Sequence, residues 1–124
     1  MIRAVSDRDV DSITKIYNYY ITETVATFEE EPVTAEIMAT RINRIKTDEL
    51  PWLVAEDEMG NIVGYAYATK WRERFAYRFS VEVTVYLSVN NSGKGIGTKL
   101  YQALFTELQE RSIHSVIAGI TLPN

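Results

Sequence analysis

The segment that most constrains this chain is Ser92-Gly93-Lys94-Gly95-Ile96-Gly97-Thr98. Before it runs Phe79 to Leu87, rich in β-branched residues at Val81, Val83, Thr84 and Val85. After it, Ile96, Leu100, Leu104 and Leu108 recur every four residues, which predicts an amphipathic helix. Glycines at alternate positions remove Cβ atoms and admit positive φ, so neighbouring backbone N–H groups converge on one point. A helix that starts there adds the positive end of its dipole, and Lys94 adds a cation. The segment reads as a phosphate cradle, with a tight strand-to-helix turn as the plainer alternative. Two nucleotide loops fit poorly. A Walker loop needs glycine where Ser88 stands and Ser or Thr where Gly95 stands. A dinucleotide fingerprint, Gly-x-Gly-x-x-Gly, is one residue longer than Gly93-x-Gly95-x-Gly97 and follows a first strand, whereas this turn follows the fourth.

The remaining pattern supplies a frame for the turn. Ile2 to Val5 reads as a strand. Ser6 with Asp9 makes an acidic capping box ahead of a helix on Val10, Ile13, Tyr17 and Tyr20. Thr34 is positioned to cap a second helix, with Ile37, Ile42 and Ile45 expected on its buried face. Trp52 to Ala55 and Ile62 to Trp71 read as strands around an Asp57–Asn61 hairpin loop, and Ser115 to Ile120 as a last strand. The order is β-α-α-β-β-β-α-β, a mixed α/β (α+β) domain over residues 1–124.

Composition narrows the chemistry. The 124 residues are 46% hydrophobic and 24% charged, as in ordinary globular domains, and carry no cysteine. Thiol catalysis, disulfides and cysteine–zinc sites are thereby excluded. The lone His114 reads as a packing or capping residue, so no metal site is expected. The net charge of −4 argues against a nucleic-acid partner. No apolar stretch approaches the ~18 residues of a membrane span, and Met1 to Asp7 lacks a signal-peptide pattern. A cytoplasmic protein without a membrane partner is expected.

Two clusters stand out as chemistry-bearing. Glu82 interrupts an otherwise apolar strand and shares its face with Ser80 and Thr84. It is either a solvated carboxylate or a general base. Arg72, Arg74 and Arg78 lie among Trp71, Phe75 and Tyr77, either as a solvated run or as a guanidinium fork for a carboxylate.

The strand, the glycine turn and the leucine-striped helix together resemble the acyl-CoA-binding motif of the GCN5-related N-acetyltransferase (GNAT) superfamily. The family pattern Gln/Arg-x-x-Gly-x-Gly/Ala falls on Ser92, Gly95 and Gly97, with serine in place of the usual first residue. Ile16-Tyr17-Asn18, Ala26-Thr27-Phe28-Glu29, Glu31-Pro32-Val33, Val54-Ala55-Glu56, Gly64-Tyr65-Ala66, Tyr77-Arg78 and Val81-Glu82 extend the likeness to the phosphinothricin and methionine sulfone acetyltransferase-like group. The resemblance implies acetyl-CoA as co-substrate and the amino group of a small amino acid or analogue as acceptor. It implies a pantetheine held by backbone at Val85, Tyr86 and Leu87, with the Leu87 N–H facing the thioester oxygen. The pyrophosphate would lie on Ser92, Gly93, Lys94, Gly95, Ile96, Gly97 and Thr98, with Asn124 at the start of the next family helix. Glu82 would act as base, although Val83 stands where relatives carry histidine. Phe28, Glu29, Arg72, Arg74 and Tyr77 would line the acceptor pocket.

The family pattern continues past Asn124 with a helix and two strands, and the family's usual general-acid tyrosine lies there. A C-terminally incomplete domain is therefore expected, with an acyl-CoA-binding or oligomerisation module without turnover as the alternative reading. The segment Ser115 to Asn124 carries no charge. It is expected to leave an apolar sheet edge that pairs two copies into a homodimer.

Overall fold

The computed structural model describes residues 1–23, 31–70, 80–88, 95–111 and 115–118. Strand β1 (Ile2–Ala4) leads through a 3₁₀ turn at Asp7–Asp9 into α1 (Val10–Glu23), followed by α2 (Ala35–Thr47). Strands β2 (Trp52–Glu56), β3 (Ile62–Lys70) and β4 (Ser80–Leu87) come next, then α3 (Ile96–Glu110) and β5 (Ser115–Ala118). The order of elements is the one that the sequence pattern predicts. One sheet, β1-β2-β3-β4-β5, is antiparallel through β4, and β5 lies parallel to β4.

Helices cover both faces of the sheet. The alternating residues Val81, Val83, Val85 and Leu87 meet Leu100, Leu104 and Leu108 of α3 on one face, all of them buried. Gly64 permits that approach. A Cβ there would lie 2.8 Å from Leu87 Cδ2 and 3.1 Å from Leu100 Cδ1. Helices α1 and α2 cover the other face with Ile13, Tyr17, Tyr20, Met38, Ile42 and Ile45. Ile37 does not join them and is 45% exposed, while Met38 is buried. At 100° per residue, Met38, Ile42 and Ile45 fall within one narrow arc, and Ile37 falls outside it.

Local polar chemistry fixes the entry to each helix. Thr34 Oγ1 accepts from the Ile37 N–H at 3.1 Å, the expected N-cap of α2. Asn18 of α1 accepts from the Val33 N–H at 2.8 Å and donates to the Val33 carbonyl at 2.9 Å, tying the start of the α2 segment back onto α1. The Ser6–Asp9 box forms, with Asp9 accepting from the Ser6 N–H at 2.8 Å. Its carboxylate also takes Arg3 Nη1 and Nη2 at 2.8 Å each, and Arg3 Nε pairs with Glu56 of β2. One guanidinium thus joins β1, β2 and the first turn.

Asp9 is 2% exposed, and the Arg3 hydrogen bonds hold its carboxyl below the usual carboxylate value. The folded chain therefore binds that proton more weakly than the unfolded chain. The stabilisation is complete above the unfolded value, about pH 4, and is lost as pH falls through the depressed folded value. Melting curves from about pH 2 to 6 should show the wild type losing stability on acidification more steeply than Asp9→Asn. Parallel losses would mean that the pair contributes nothing.

Candidate functional site

The site is organised by the direction of backbone groups along β4. The Ser88 N–H donates to Val63 O at 2.9 Å. In the β3–β4 register, Tyr65 opposes Tyr86, and Gly64 opposes Leu87. An antiparallel ladder alternates bonded and non-bonded pairs, so Thr84, Tyr86 and Ser88 turn their backbone groups toward β3. Val81, Val83, Val85 and Leu87 turn theirs the other way. There β5 pairs with β4 as far as Val83↔Ala118. Beyond that point the backbones of Val85 and Leu87 face a gap among the described residues. Two of the three residues expected to hold a pantetheine thus present backbone groups to that gap. The third, Tyr86, gives its backbone to β3 and its ring to the face under α1.

Leu87 is held from both faces. Its side chain packs beside Gly64 against Leu100, and its carbonyl accepts from the Tyr20 hydroxyl at 2.7 Å. Burial pushes the Tyr20 phenol up to about 12, so it remains a donor at neutral pH.

Helix α3 follows β4 in the chain. Gly95 is its N-cap, with φ 76° and ψ 3°, and Ile96, Gly97 and Thr98 form the first turn. No acidic residue lies in that turn, so nothing in the helix competes for an anion at its N-terminus. Among the described residues the space beside Gly95 is open, with no atom within 4 Å of a Cβ placed there. Glycine is required here by φ, not by crowding. A backbone-lined helix start, together with a strand edge that no described residue pairs, fits a chain-like ligand that ends in phosphates.

Glu82 and Thr84 are half-buried on the α1/α2 face, where register sets them beside Thr69 and Tyr67. The Tyr67 and Thr84 side chains lie side by side across β3 and β4. Next to them a cavity of about 570 Å³ opens between α1, α2 and the sheet. Its sheet wall is a set of near-parallel rings, with Trp52–Tyr67 centroids 4.3 Å apart and Trp52–Tyr65 centroids 5.5 Å apart. Among the described residues the buried Trp52 Nε1–H has no acceptor. Above it, the Arg41 guanidinium lies 5.5 Å from the centre of the Tyr17 ring, and Arg44 and the Lys70–Asp48 pair line the rim. An aromatic wall under guanidinium groups suits a small molecule with an apolar body and an anionic group. Sequence reasoning missed this chamber. Its parts come from α1, α2, β2 and β3, and the only local signal was the aromatic content of β3.

Phe28, Glu29, Arg72, Arg74, Tyr77, Ser92, Gly93, Lys94, Asn124 and His114 lie outside the described residues. Among the described residues no group of acidic and histidine side chains is arranged to hold a metal. No described helix is long and apolar enough to cross a membrane.

Residues 2–124 match the family profile described as an acetyltransferase (GNAT) domain. The chain is 38% identical over 123 residues to a phosphinothricin N-acetyltransferase of Streptomyces viridochromogenes, covering 99% of this chain and 66% of that protein. It is 32% identical over 123 residues to an L-methionine sulfoximine/L-methionine sulfone acetyltransferase of Pseudomonas aeruginosa, covering 99% of this chain and 72% of that one. Among solved structures it is similar to a GNAT superfamily phosphinothricin acetyltransferase from Sinorhizobium meliloti in complex with AcCoA. That match has a TM-score of 0.90 at 41% identity, covering 95% of this chain and 64% of that one. The chain spans about two thirds of the length of these relatives.

The Gly95 geometry separates two effects of one residue. Gly95→Ala puts an L-residue at φ 76° without a clash, a cost of about 1–2 kcal/mol. The melting temperature should fall by roughly 4–8 °C. Gly95→Asp adds a negative charge at the helix start, and CoA binding by calorimetry should fall far more than with alanine. Equal CoA affinity in all three proteins would show that the turn holds no phosphate.

Proposed function

The chain belongs to the GNAT acetyltransferase family, and we propose that it transfers the acetyl group of acetyl-CoA to the amino group of a small amino acid or amino-acid analogue. One observation carries this reading. The backbone groups of Val85 and Leu87 lie beyond the last described β4–β5 pair, Val83↔Ala118, and Gly95 heads α3 in a left-handed conformation, so the chain offers both strand-like and phosphate-like contacts. A structural relative in complex with AcCoA and the names of the curated relatives support the choice of donor and acceptor.

Acetyl-CoA supplies an activated acyl group, and the chain's own residues do the rest. The amides of Val85 and Leu87 hold the donor along β4, and residues 92–98 hold its phosphates. The Leu87 N–H stabilises charge that develops on the acyl oxygen. Glu82 takes the proton that the acceptor ammonium must lose before its nitrogen can attack, directly or through water. The aromatic chamber beneath Arg41 receives the acceptor's body and an anionic group. Arg72, Arg74, Tyr77, Phe28 and Glu29 complete that pocket in this proposal.

A thiol-release assay with acetyl-CoA against a panel of amino acids, including phosphinothricin and methionine sulfone, tests the activity. Release that depends on the acceptor is expected. Acetyl-CoA binding without release for any acceptor would leave an acyl-CoA-binding module instead. Glu82→Gln keeps the shape and removes the basicity, so kcat/KM should fall by roughly 100-fold at neutral pH. The loss should shrink at high pH, where the amine is already neutral. Full activity of this variant at pH 7 would remove Glu82 from the mechanism.

A further inference from the structure

We infer that Tyr20 is a positioning residue for acyl transfer: its hydroxyl holds the Leu87 carbonyl and so limits rotation at Leu87, which keeps the Leu87 N–H aimed at the acyl oxygen. The inference rests on the acetyl-transfer reading and extends it to a residue of α1 that does not touch the reacting atoms.

Tyr20 is 1% exposed, and its hydroxyl donates to Leu87 O at 2.7 Å across 67 positions of sequence. Its ring is fixed by edge-to-face contacts with Tyr86, at 5.0 Å and 69°, and Tyr19, at 5.7 Å and 89°. In an extended residue of an antiparallel ladder, the N–H and the C=O point the same way. The carbonyl belongs to the 87–88 peptide and the N–H to the 86–87 peptide, so holding the carbonyl limits rotation about the Cα bonds of Leu87 that join the two units. On the other face Leu87 is wedged between Gly64 and Leu100. On either side in the chain, Tyr86 pairs with Tyr65, and Ser88 donates to Val63. The side chain and the carbonyl of Leu87 are thus both held by the protein. A strand end held only by water would let this last peptide rock, and an amide misplaced by a fraction of an ångström stabilises developing charge poorly. A carbonyl that merely needed a donor to be buried would explain the same bond, so the test must separate aim from stability.

Tyr20→Phe keeps the ring and removes the donor. Bound acetyl-CoA carrying ¹³C at the acyl carbon reports the hydrogen bond through the thioester carbonyl stretch, without turnover. In the wild type the stretch should lie below that of free acetyl-CoA, and in Tyr20→Phe it should return toward the free value. The kcat should fall about tenfold, with the KM for acetyl-CoA changing less than about threefold. Ile13→Val trims the same buried layer of α1 and should lower the melting temperature with the stretch and kcat unchanged. 4-Aminophenylalanine at position 20 restores a donor and should recover part of the shift, which keeps the test decisive if Tyr20→Phe folds poorly. A wild-type shift that survives in Tyr20→Phe, or that 4-aminophenylalanine fails to recover, refutes the role of Tyr20. A wild type that binds no acetyl-CoA refutes the acetyl-transfer reading, and the inference falls with it.

Discussion

The alternation of backbone direction along β4 is the constraint on which the rest of this structure depends. A strand offers hydrogen-bonding groups to its two sides by turns, and β3 consumes one set along the whole of β4. The other set meets β5 as far as Val83 among the described residues, and Val85 and Leu87 lie beyond the last described pair. Whatever binds at Val85 and Leu87 meets a row of main-chain groups that no side-chain substitution removes.

The two faces of the sheet divide the labour. The α3 face is aliphatic and closely packed, and Gly64 lets Leu87 and Leu100 meet over β3. Its job is to hold the end of β4 and the start of α3 in one rigid unit. The α1/α2 face is aromatic and partly polar, with tyrosine and tryptophan rings from α1, β2, β3 and β4, Tyr17, Tyr20, Trp52, Tyr65, Tyr67 and Tyr86, in a connected cluster. Burial keeps the Tyr65 and Tyr67 hydroxyls protonated, so this layer contributes hydrogen-bond donors and no competing negative charge. Glu82 and the chamber beneath Arg41 both lie on this face, on the side of the sheet away from α3.

Much of this was legible in the sequence, because period and capping chemistry are local. The leucine stripe of α3, the Thr34 cap, the Ser6–Asp9 box and the valine alternation of β4 each set one element or one face. The turn at Gly95 was legible for the same reason, since a positive φ at a helix start leaves few choices besides glycine. Ile37 was misplaced because isoleucine was weighed above helical angle, and Met38 took the buried position. What stayed hidden depends on contacts between distant segments. Nothing near Tyr20 announces Leu87, and nothing near Arg41 announces Trp52 or Tyr67. The family resemblance named the reaction class, while the bond between α1 and the end of β4 needed the fold.

The central claim is that β4 offers the amides of Val85 and Leu87, and not those of Thr84 and Tyr86, to the donor. Amide-resolved NMR during a titration with acetyl-CoA tests it most directly. The account predicts large shifts and new exchange protection at Val85 and Leu87, with Thr84 and Tyr86 already protected before the ligand is added and little changed after it. Equal responses at odd and even positions, or a response at Tyr86 without one at Leu87, would contradict it.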